Sequence, residues 1–359
     1  MDFRPSSAQQ LLIATAREFL RKHCPPEVAQ RIALDPHGFD GSLWRRMAEL
    51  GWQGLLVPAD LGGSDGSLLD VILLMEEMRR AGAPGPFVPS AVVATSALLA
   101  AGSAEQKKRL LPAMAGGERI VAVALGDAGN TLEIDAHGRL NGRALFVEAA
   151  HVADAFIVAA RAGAERRLLL LPADRSGLAH FPFEAIGPEK IFELACDAVA
   201  IKSEDRLEPA TARRDALAAG ALARTAEMVG AAQRILELVV EHAKTRVQGG
   251  RPIGGHQAIQ HACADLVRDV DASRGLLYAA AWKASEGAPA ATEIAMAKAY
   301  ASDACLAVAR RGHQIFGAIG YCEEHPLHLL HKRILAASLD CGGVTEHLEH
   351  VARAIGLTA

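Results

Sequence analysis

The stretch that decides the fold of this chain is Thr245-Arg-Val-Gln-Gly-Gly-Arg-Pro-Ile-Gly-Gly-His-Gln-Ala-Ile-Gln260. It starts at a basic helix end, passes through a Gly-Gly turn and a Pro-Ile-Gly-Gly segment, and enters a new apolar-periodic run. This order predicts a helix, a tight loop and a second helix. Such a loop can bring backbone N–H groups and the guanidinium of Arg246 close to an anion.

Long helices are predicted on both sides of this loop. Residues 216–240 are mostly Ala, Leu, Val, Ile and Met and lead up to the loop, with Gly230 as a candidate break. Residues 258–282 and 290–312 repeat the apolar pattern. Three long helices of this kind predict a helical bundle in the last third of the chain.

The first third of the chain is also predicted to be helical. Residues 6–23 begin with a Ser cap and carry apolar residues at helical spacing, and residues 43–50 add another amphipathic turn or two. A Gly cluster in residues 60–66 breaks the pattern, and a new helix is predicted over residues 67–82. Helical character continues over residues 91–102 and again over residues 103–115.

The periodicity changes from that of helices to that of strands between residues 120 and 207. Short apolar runs separated by turn residues occur at 120–125, 156–160, 168–171 and 198–201. These runs predict a small β domain. The predicted fold class is therefore mainly α with one small β domain in the middle.

Composition limits the class of protein further. A chain of 359 residues, 50% of them hydrophobic, can bury a large core in two or three domains. Its formal net charge of −4 gives no electrostatic reason to expect a nucleic acid or an anionic membrane as partner. The first residues lack an apolar signal core, and no apolar run reaches the ~18 residues of a membrane span. We therefore expect a cytoplasmic protein.

The quoted stretch resembles a segment of the acyl-CoA dehydrogenase family. In that family the segment reads Arg-x-Gln-Phe-Gly-x-x-Ile and helps to bind FAD. Arg246, Gln248, Gly250 and Ile253 match it, while Gly249 stands where the family usually has Phe.

The resemblance covers nearly the whole chain. The Leu-Val-Pro, Gly-Gly and Glu-Glu segments of the first third follow the order of the family's N-terminal helical domain. The resemblance implies an N-terminal helical domain over residues 1–118, a middle β domain over 119–207 and a C-terminal four-helix-type bundle over 208–359.

A second segment, residues 314–328, is similar to the family's Gln-x-x-Gly-Gly-x-Gly-(aromatic)-x-x-Glu-His-x-Leu. The matching residues are Gln314, Gly317, Gly320, Tyr321, Glu324 and His325. Ala318 replaces the second Gly of the usual pair. In the family these glycines let the backbone approach the FAD of the neighbouring subunit.

The resemblance implies a cofactor, a substrate and partners. FAD would lie between two subunits, and the residues implied to bind it are Arg246, Gln248, Gly250, Gln314, Gly317 and Gly320. The substrate would be an acyl-CoA thioester, and electron-transfer flavoprotein would accept the electrons. A site built from two subunits requires an oligomer, so we expect a dimer or a tetramer made of two dimers.

Departures from the family pattern concern the flavin ring. Relatives carry a Thr-Glu-Pro segment and a Trp-Ile-Ser/Thr-Asn segment that touch the ring, and this chain has residues 125–129 and 145–149 in their places. A hydroxyl donor and an indole are therefore missing, with Phe146 as the nearest substitute.

The catalytic base of the family is not evident either. In the family a Glu removes the α-proton of the thioester while the β-hydride passes to flavin N5. At the usual place, Tyr-Glu-Gly-Thr, this chain reads Leu339-Asp-Cys-Gly-Gly-Val-Thr345, so Gly342 or Gly343 stands in place of the Glu. A second family position falls near Ala219-Gly220, also without an acid. Asp340 is a candidate, but it would have to reach the substrate from upstream with a shorter side chain.

Two functions remain open on this basis. The chain is either a FAD-dependent acyl-CoA dehydrogenase, using a displaced acid such as Asp340 or a site shared with a second chain, or a non-catalytic, FAD-completing subunit of a heteromeric dehydrogenase. In the second case a homologous partner carries the Glu, as in complexes that act on steroid or other bulky CoA thioesters. We favour membership of such a complex, because glycines at the base position still offer backbone N–H groups to a thioester oxygen.

Cysteine and histidine are the residues that most often bind metals such as zinc. The six cysteines are scattered without a CxxC pair, which argues against a zinc ribbon or a disulfide framework and favours small core residues. Two groups of histidines recur every third residue, namely His325, His328 and His331, and His347 and His350. Neither group has a Cys or Glu-x-x-His arrangement, so we predict no metal site.

Overall fold

A computed structural model describes residues 4–185 and 187–357 of the chain. The helices are α1 (Ser7–His23), α2 (Pro26–Leu34), α3 (Gly41–Glu49), α4 (Leu68–Arg80), α5 (Thr95–Ala101), α6 (Ala104–Ala115), α7 (Ala212–Thr245), α8 (Gln257–Ser285), α9 (Ala291–Phe316), α10 (Leu327–Leu339) and α11 (Val344–Ala354). The strands are β1 (Val121–Ala124), β2 (Glu133–Ile134), β3 (Arg139–Glu148), β4 (Ala155–Ala162), β5 (Glu165–Pro172), β6 (Leu178–Pro182), β7 (Ile191–Ala200), β8 (Arg206–Leu207), β9 (Val247–Gln248) and β10 (Arg251–Pro252). A π-helix, Phe87–Ala94, leads into α5.

The chain divides into two compact units. The helical unit comprises residues 1–34, 68–83 and 221–359. The sheet-containing unit comprises residues 35–67 and 84–220.

Capping boxes start two of the predicted helices. Ser6 Oγ accepts the N–H of Gln9 at 3.2 Å, and Gln9 Oε1 accepts the N–H of Ser6 at 2.9 Å. Ser103 and Gln106 make the same pair of bonds at the start of α6. Each box satisfies two N–H groups that would otherwise lack a partner at a helix start. The predicted Ser cap of the first helix is confirmed.

Helix α7 continues without a break through Gly230, where the sequence suggested one. A Cβ at Gly230 would lie 2.2 Å from the carbonyl oxygen of Glu76 in α4. The glycine therefore allows two helix backbones to cross closely. Glu76 also pairs with Arg274 of α8 at 2.8 Å, which ties a third helix to the same place.

One sheet holds eight strands in the described part of the chain. The strand order is β6-β7-β3-β2-β4-β5-β8, and β1 pairs parallel to β4. Antiparallel pairing sets Leu140 of β3 opposite Val199 of β7, and Ile157 of β4 opposite Leu170 of β5. The buried apolar cluster of this unit includes Leu140, Phe156, Leu169, Leu194 and Val199.

The mainly helical fold with one small β domain is confirmed. The division into domains at 1–118, 119–207 and 208–359 stays a prediction. Over residues 4–185 and 187–357, no helix combines the length and the apolar character needed to cross a membrane.

Candidate active site

Arg246 and Gln248 lie on a hairpin that joins α7 to α8. Strands β9 and β10 pair antiparallel, with Gln248 opposite Arg251. Gly249 and Gly250 form the turn at φ +62° and +79°, a conformation that glycine adopts without steric cost. A Cβ at either glycine would meet no atom of the described chain within 4 Å. The hairpin tip is therefore open, with the exposed Arg246 beside it.

The second predicted loop follows the end of α9. Gly317 has φ +65° and ψ −142°, a conformation suited to glycine, and space lies open around its α-carbon. Gln314, in the last turn of α9, is exposed. Gly320 is buried instead, and a Cβ there would come within 3.0 Å of the Phe316 Cβ. Gly317 is thus the glycine whose backbone a ligand can approach, while Gly320 is required by the packing of the loop.

A stacked pair of rings brings the two loops to the same end of the helical unit. The rings of His242 in α7 and Phe316 in α9 stack with centroids 4.4 Å apart. The backbone N–H of Arg246 donates to the His242 carbonyl at 2.8 Å, and Gly317 directly follows Phe316. Sequence reasoning missed this pair, because nothing local to residues 242 and 316 indicates that they meet.

The turn between α10 and α11 contains Gly342 and Gly343, the predicted base positions, and Asp340, the candidate acid. Asp340 Oδ2 accepts Nε–H of Arg224 at 2.7 Å, and Nη1 of Arg224 donates to Glu227 at 2.7 Å. Desolvation opposes ionisation of Asp340, but the charge and hydrogen bond of Arg224 outweigh it and lower the pKa of Asp340 below its usual value. A carboxylate held in this way is a poor proton acceptor, since general bases work best with a pKa near the working pH.

The two glycines of this turn differ in the space around them. Gly342 has φ +100°, and a Cβ there would lie 2.5 Å from His347 Nε2. Gly343 has φ −82° and ψ 173°, and a Cβ there would meet nothing within 4 Å among the described residues. Of the two predicted base positions, Gly343 is therefore the one where a side chain fits.

A buried lysine supports the turn from α9. Lys298 is 0% exposed, and its Nζ donates to the carbonyl oxygens of Ser338 and Gly342, both at 2.9 Å. Burial lowers the pKa of Lys298 to about 8. The carbonyl of Cys341, the residue directly before Gly342, lies 3.0 Å from His347 Nε2.

Comparison with known proteins identifies the family. Residues 6–118 match the acyl-CoA dehydrogenase N-terminal domain, and residues 211–356 match the acyl-CoA dehydrogenase C-terminal domain. Acyl-CoA dehydrogenase IpdE2 of Mycobacterium tuberculosis is 31% identical over 330 residues, which cover 92% of this chain and 91% of that protein. The chain belongs to the acyl-CoA dehydrogenase family.

Solved structures of the family share the fold over the full length. A chain in the ChsE4-ChsE5 complex from Mycobacterium tuberculosis superposes with a TM-score of 0.93 at 29% identity, covering 100% of both chains. Butyryl-CoA dehydrogenase from Megasphaera elsdenii superposes with a TM-score of 0.90 at 26% identity, covering 99% of this chain and 100% of that one. Members of this family are flavoprotein oxidoreductases.

The stretches 125–129 and 145–149, predicted to stand in the places of the flavin-ring segments, contact each other in the sheet-containing unit. The N–H of Leu145 donates to the carbonyl of Gly129 at 3.3 Å. A bulge in β3 gives Phe146 a φ of +63° and leaves its ring 61% exposed, with the Phe183 ring 5.8 Å away. A bulky residue in this backbone region is unusual and marks a functional candidate.

The second predicted base position lies inside a helix. Ala219 and Gly220 are both buried in α7. Further along the same helix, Glu227 pairs with Arg79 and Arg224. Although burial opposes ionisation, these two cations lower the pKa of Glu227. Glu227 is therefore occupied by ion pairs, like Asp340.

The residues of the two loops fit the pyrophosphate of FAD. An exposed guanidinium at Arg246 supplies charge, and the open backbone at Gly249, Gly250 and Gly317 permits close approach of an anion. When bound, FAD supplies a hydride acceptor. The described histidines do not converge on a metal site, since no group of three or more His, Cys, Asp or Glu in that part of the chain could hold a metal ion.

Proposed function

We propose that this chain is one subunit of a heteromeric, FAD-dependent acyl-CoA dehydrogenase and that a second, homologous chain supplies the catalytic base. The observation that carries the proposal is the turn at Asp340, whose carboxylate is bound to Arg224 and whose glycines stand at the predicted base positions. A chain similar to this one occurs in the ChsE4-ChsE5 complex, which supports an assembly of two different chains.

Each segment that matches the family pattern has a role in this function. The residues that hold FAD are Arg246, Gln248, Gly250, Gln314 and Gly317, while Gly320 supports the loop by packing. The turn at Gly343 contacts the thioester carbonyl of the acyl-CoA. A Glu of the partner chain would accept the α-proton. FAD, when bound, would supply the acceptor for the β-hydride, and electron-transfer flavoprotein would take up the electrons. The α,β-unsaturated thioester is the product.

The decisive experiment restores a base in this chain. Gly343→Glu places a carboxylate where a side chain fits, and a positioned general base contributes about 10²- to 10⁴-fold in rate. The purified flavoprotein is mixed anaerobically with butyryl-CoA or with a bulkier 3-phenylpropanoyl-CoA, and loss of oxidised-flavin absorbance is followed. We expect negligible reduction in the original chain and measurable reduction in Gly343→Glu.

Two variants make this experiment specific. Gly342→Glu carries the same acid but is strained at φ +100° and collides with His347, so we expect no gain of flavin reduction. Asp340→Asn should leave any residual reduction of the original chain unchanged. Rapid reduction by the single original chain, abolished in Asp340→Asn, would make Asp340 the base and overturn the proposal.

A further inference from the structure

The peptide between Gly342 and Gly343 has a fixed direction. The cis peptide bond in the described chain is Glu208–Pro209, so the peptide at 342–343 is trans. In a trans peptide the C=O and the following N–H point in opposite directions. The Gly342 carbonyl faces Lys298 Nζ inside the helical unit. The N–H of Gly343 therefore points away from the buried lysine.

The turn is held in this arrangement from two helices. Lys298 of α9 binds the carbonyls on either side of the turn, and Arg224 of α7 binds the Asp340 carboxylate. Cys341 between them has φ +56°, an unfavourable conformation for a residue with a side chain. Such a conformation persists only where surrounding contacts over-determine it. The direction of the Gly343 N–H is therefore set by tertiary contacts and not by the turn sequence alone.

The burial of the Lys298 side chain is energetically unfavourable and calls for a compensating role. Moving an ammonium group out of water costs several kcal/mol. The hydrogen bonds of Lys298 go to backbone carbonyls of Ser338 and Gly342, at the turn that contains two glycines. A purely structural turn between two helices does not require a buried charge. A buried charge is useful where an N–H has to face a substrate in one direction. A hydrogen-bond donor that is oriented in advance stabilises developing negative charge without reorganisation of the protein.

We propose that Lys298 is a positioning residue for thioester recognition, which holds the Gly342 carbonyl inward and thereby directs the Gly343 N–H to the carbonyl oxygen of an acyl-CoA. The inference rests on the proposed function, since it needs an acyl-CoA site in this chain. Lys298 itself does not touch the substrate. It acts through one peptide group, which binds the neutral thioester and gains strength as charge develops on the thioester oxygen.

The first measurement needs no variant. Butyryl-CoA carries the thioester oxygen, whereas S-butyl-CoA is a thioether without it, and both are titrated anaerobically into the protein in the assembly in which it purifies. One hydrogen bond predicts roughly fivefold to tenfold tighter binding of the thioester. S-butyl-CoA binding with no thioester preference would overturn the inference alone, while failure of both CoA compounds to bind would overturn the proposed function.

Two pairs of variants then test whether the preference for the thioester depends on the Gly343 N–H and on Lys298. Gly343→Pro removes the N–H at a φ of −82°, close to the proline value, whereas Gly343→Ala adds a Cβ in the same open space and keeps the N–H. The thioester preference should be smaller in Gly343→Pro than in Gly343→Ala. Lys298→Met should reduce the preference toward one while S-butyl-CoA affinity stays within about twofold, and Lys283→Met, which breaks an ion pair with Glu293, should retain it.

A folding failure of Lys298→Met would not remove the test. Lys298→Gln keeps an amide donor on a shorter side chain, and we expect it to lower the thioester preference part of the way. A full preference in a folded Lys298→Met or Lys298→Gln protein would show that the lysine does not position the turn.

Discussion

Replacement of Arg224 by Met should destabilise the protein strongly, because Arg224 is the central cation of a buried ionic chain. Its side chain is 7% exposed and bridges Glu227, which is 6% exposed, and Asp340, which is 52% exposed. Removing one partner of a buried pair typically costs about 3–5 kcal/mol, whereas an exposed pair contributes about 0–1 kcal/mol. Glu227 keeps its bond to Arg79, so we expect a loss at the lower end, ~3 kcal/mol.

Urea or guanidinium unfolding at neutral pH measures this loss as a lower midpoint at an unchanged slope. Arg234→Met is the matched control, since Arg234 lies on the same helix and pairs with Glu237 at 3.3 Å in a half-exposed position. We expect ~1 kcal/mol or less for the control. If the Arg224→Met protein were no less stable than Arg234→Met, burial of the ion pairs would not determine their contribution to the free energy of unfolding, and the reasoning would be refuted.

The pH dependence of the free energy of unfolding of Arg224→Met provides a second test of the buried ion pairs. Arg79 and Arg224 lower the pKa of Glu227, so the ionised pair stabilises the protein above the ordinary Glu pKa and this contribution is lost as the pH falls through the folded value. Arg224→Met removes one of the two cations. Its free energy of unfolding should therefore fall less steeply on acidification than that of the original chain.

Four further outcomes are expected. Arg246→Ala should lower the flavin-to-protein absorbance ratio of the purified protein several-fold more than Lys332→Ala, and equal flavin retention would contradict the assignment of the hairpin to FAD. Light scattering should give a mass at least twice the 37.8 kDa of one chain, and a lone ~38 kDa species at micromolar concentration would exclude a site shared between subunits. Burial lowers the pKa of Lys298 to about 8. Between that pH and pH ~10 the unfolded chain binds more protons than the folded chain, so the free energy of unfolding should rise with pH. Lys298→Met should reduce this rise in the free energy of unfolding by at most ~3 kcal/mol. Gly230→Ala should cost about 1–3 kcal/mol in chemical unfolding because of the contact with α4, whereas Gly275→Ala, with open space around it in α8, should gain up to ~1 kcal/mol.

The sequence by itself determined the fold class and the places of the two loops. Helix starts at Ser6 and Ser103 follow from capping residues a few positions away, and the strands follow from short apolar runs between turn residues. The Gly-Gly turn at 249–250 has the positive φ values that its composition predicts. These features could be predicted because each is decided by residues close together in the chain.

Tertiary structure alone decided which residues meet at the site. The Asp340 carboxylate is bound by a guanidinium 116 positions earlier, and the turn beside it is held by a lysine from another helix. Of two adjacent glycines, one is blocked by His347 and the other faces open space, which composition cannot distinguish. Gly230 is a helix crossing and not a helix break for the same reason. Such outcomes depend on the packing of segments that are distant in sequence. Local propensity does not indicate which distant segment will pack against a given residue.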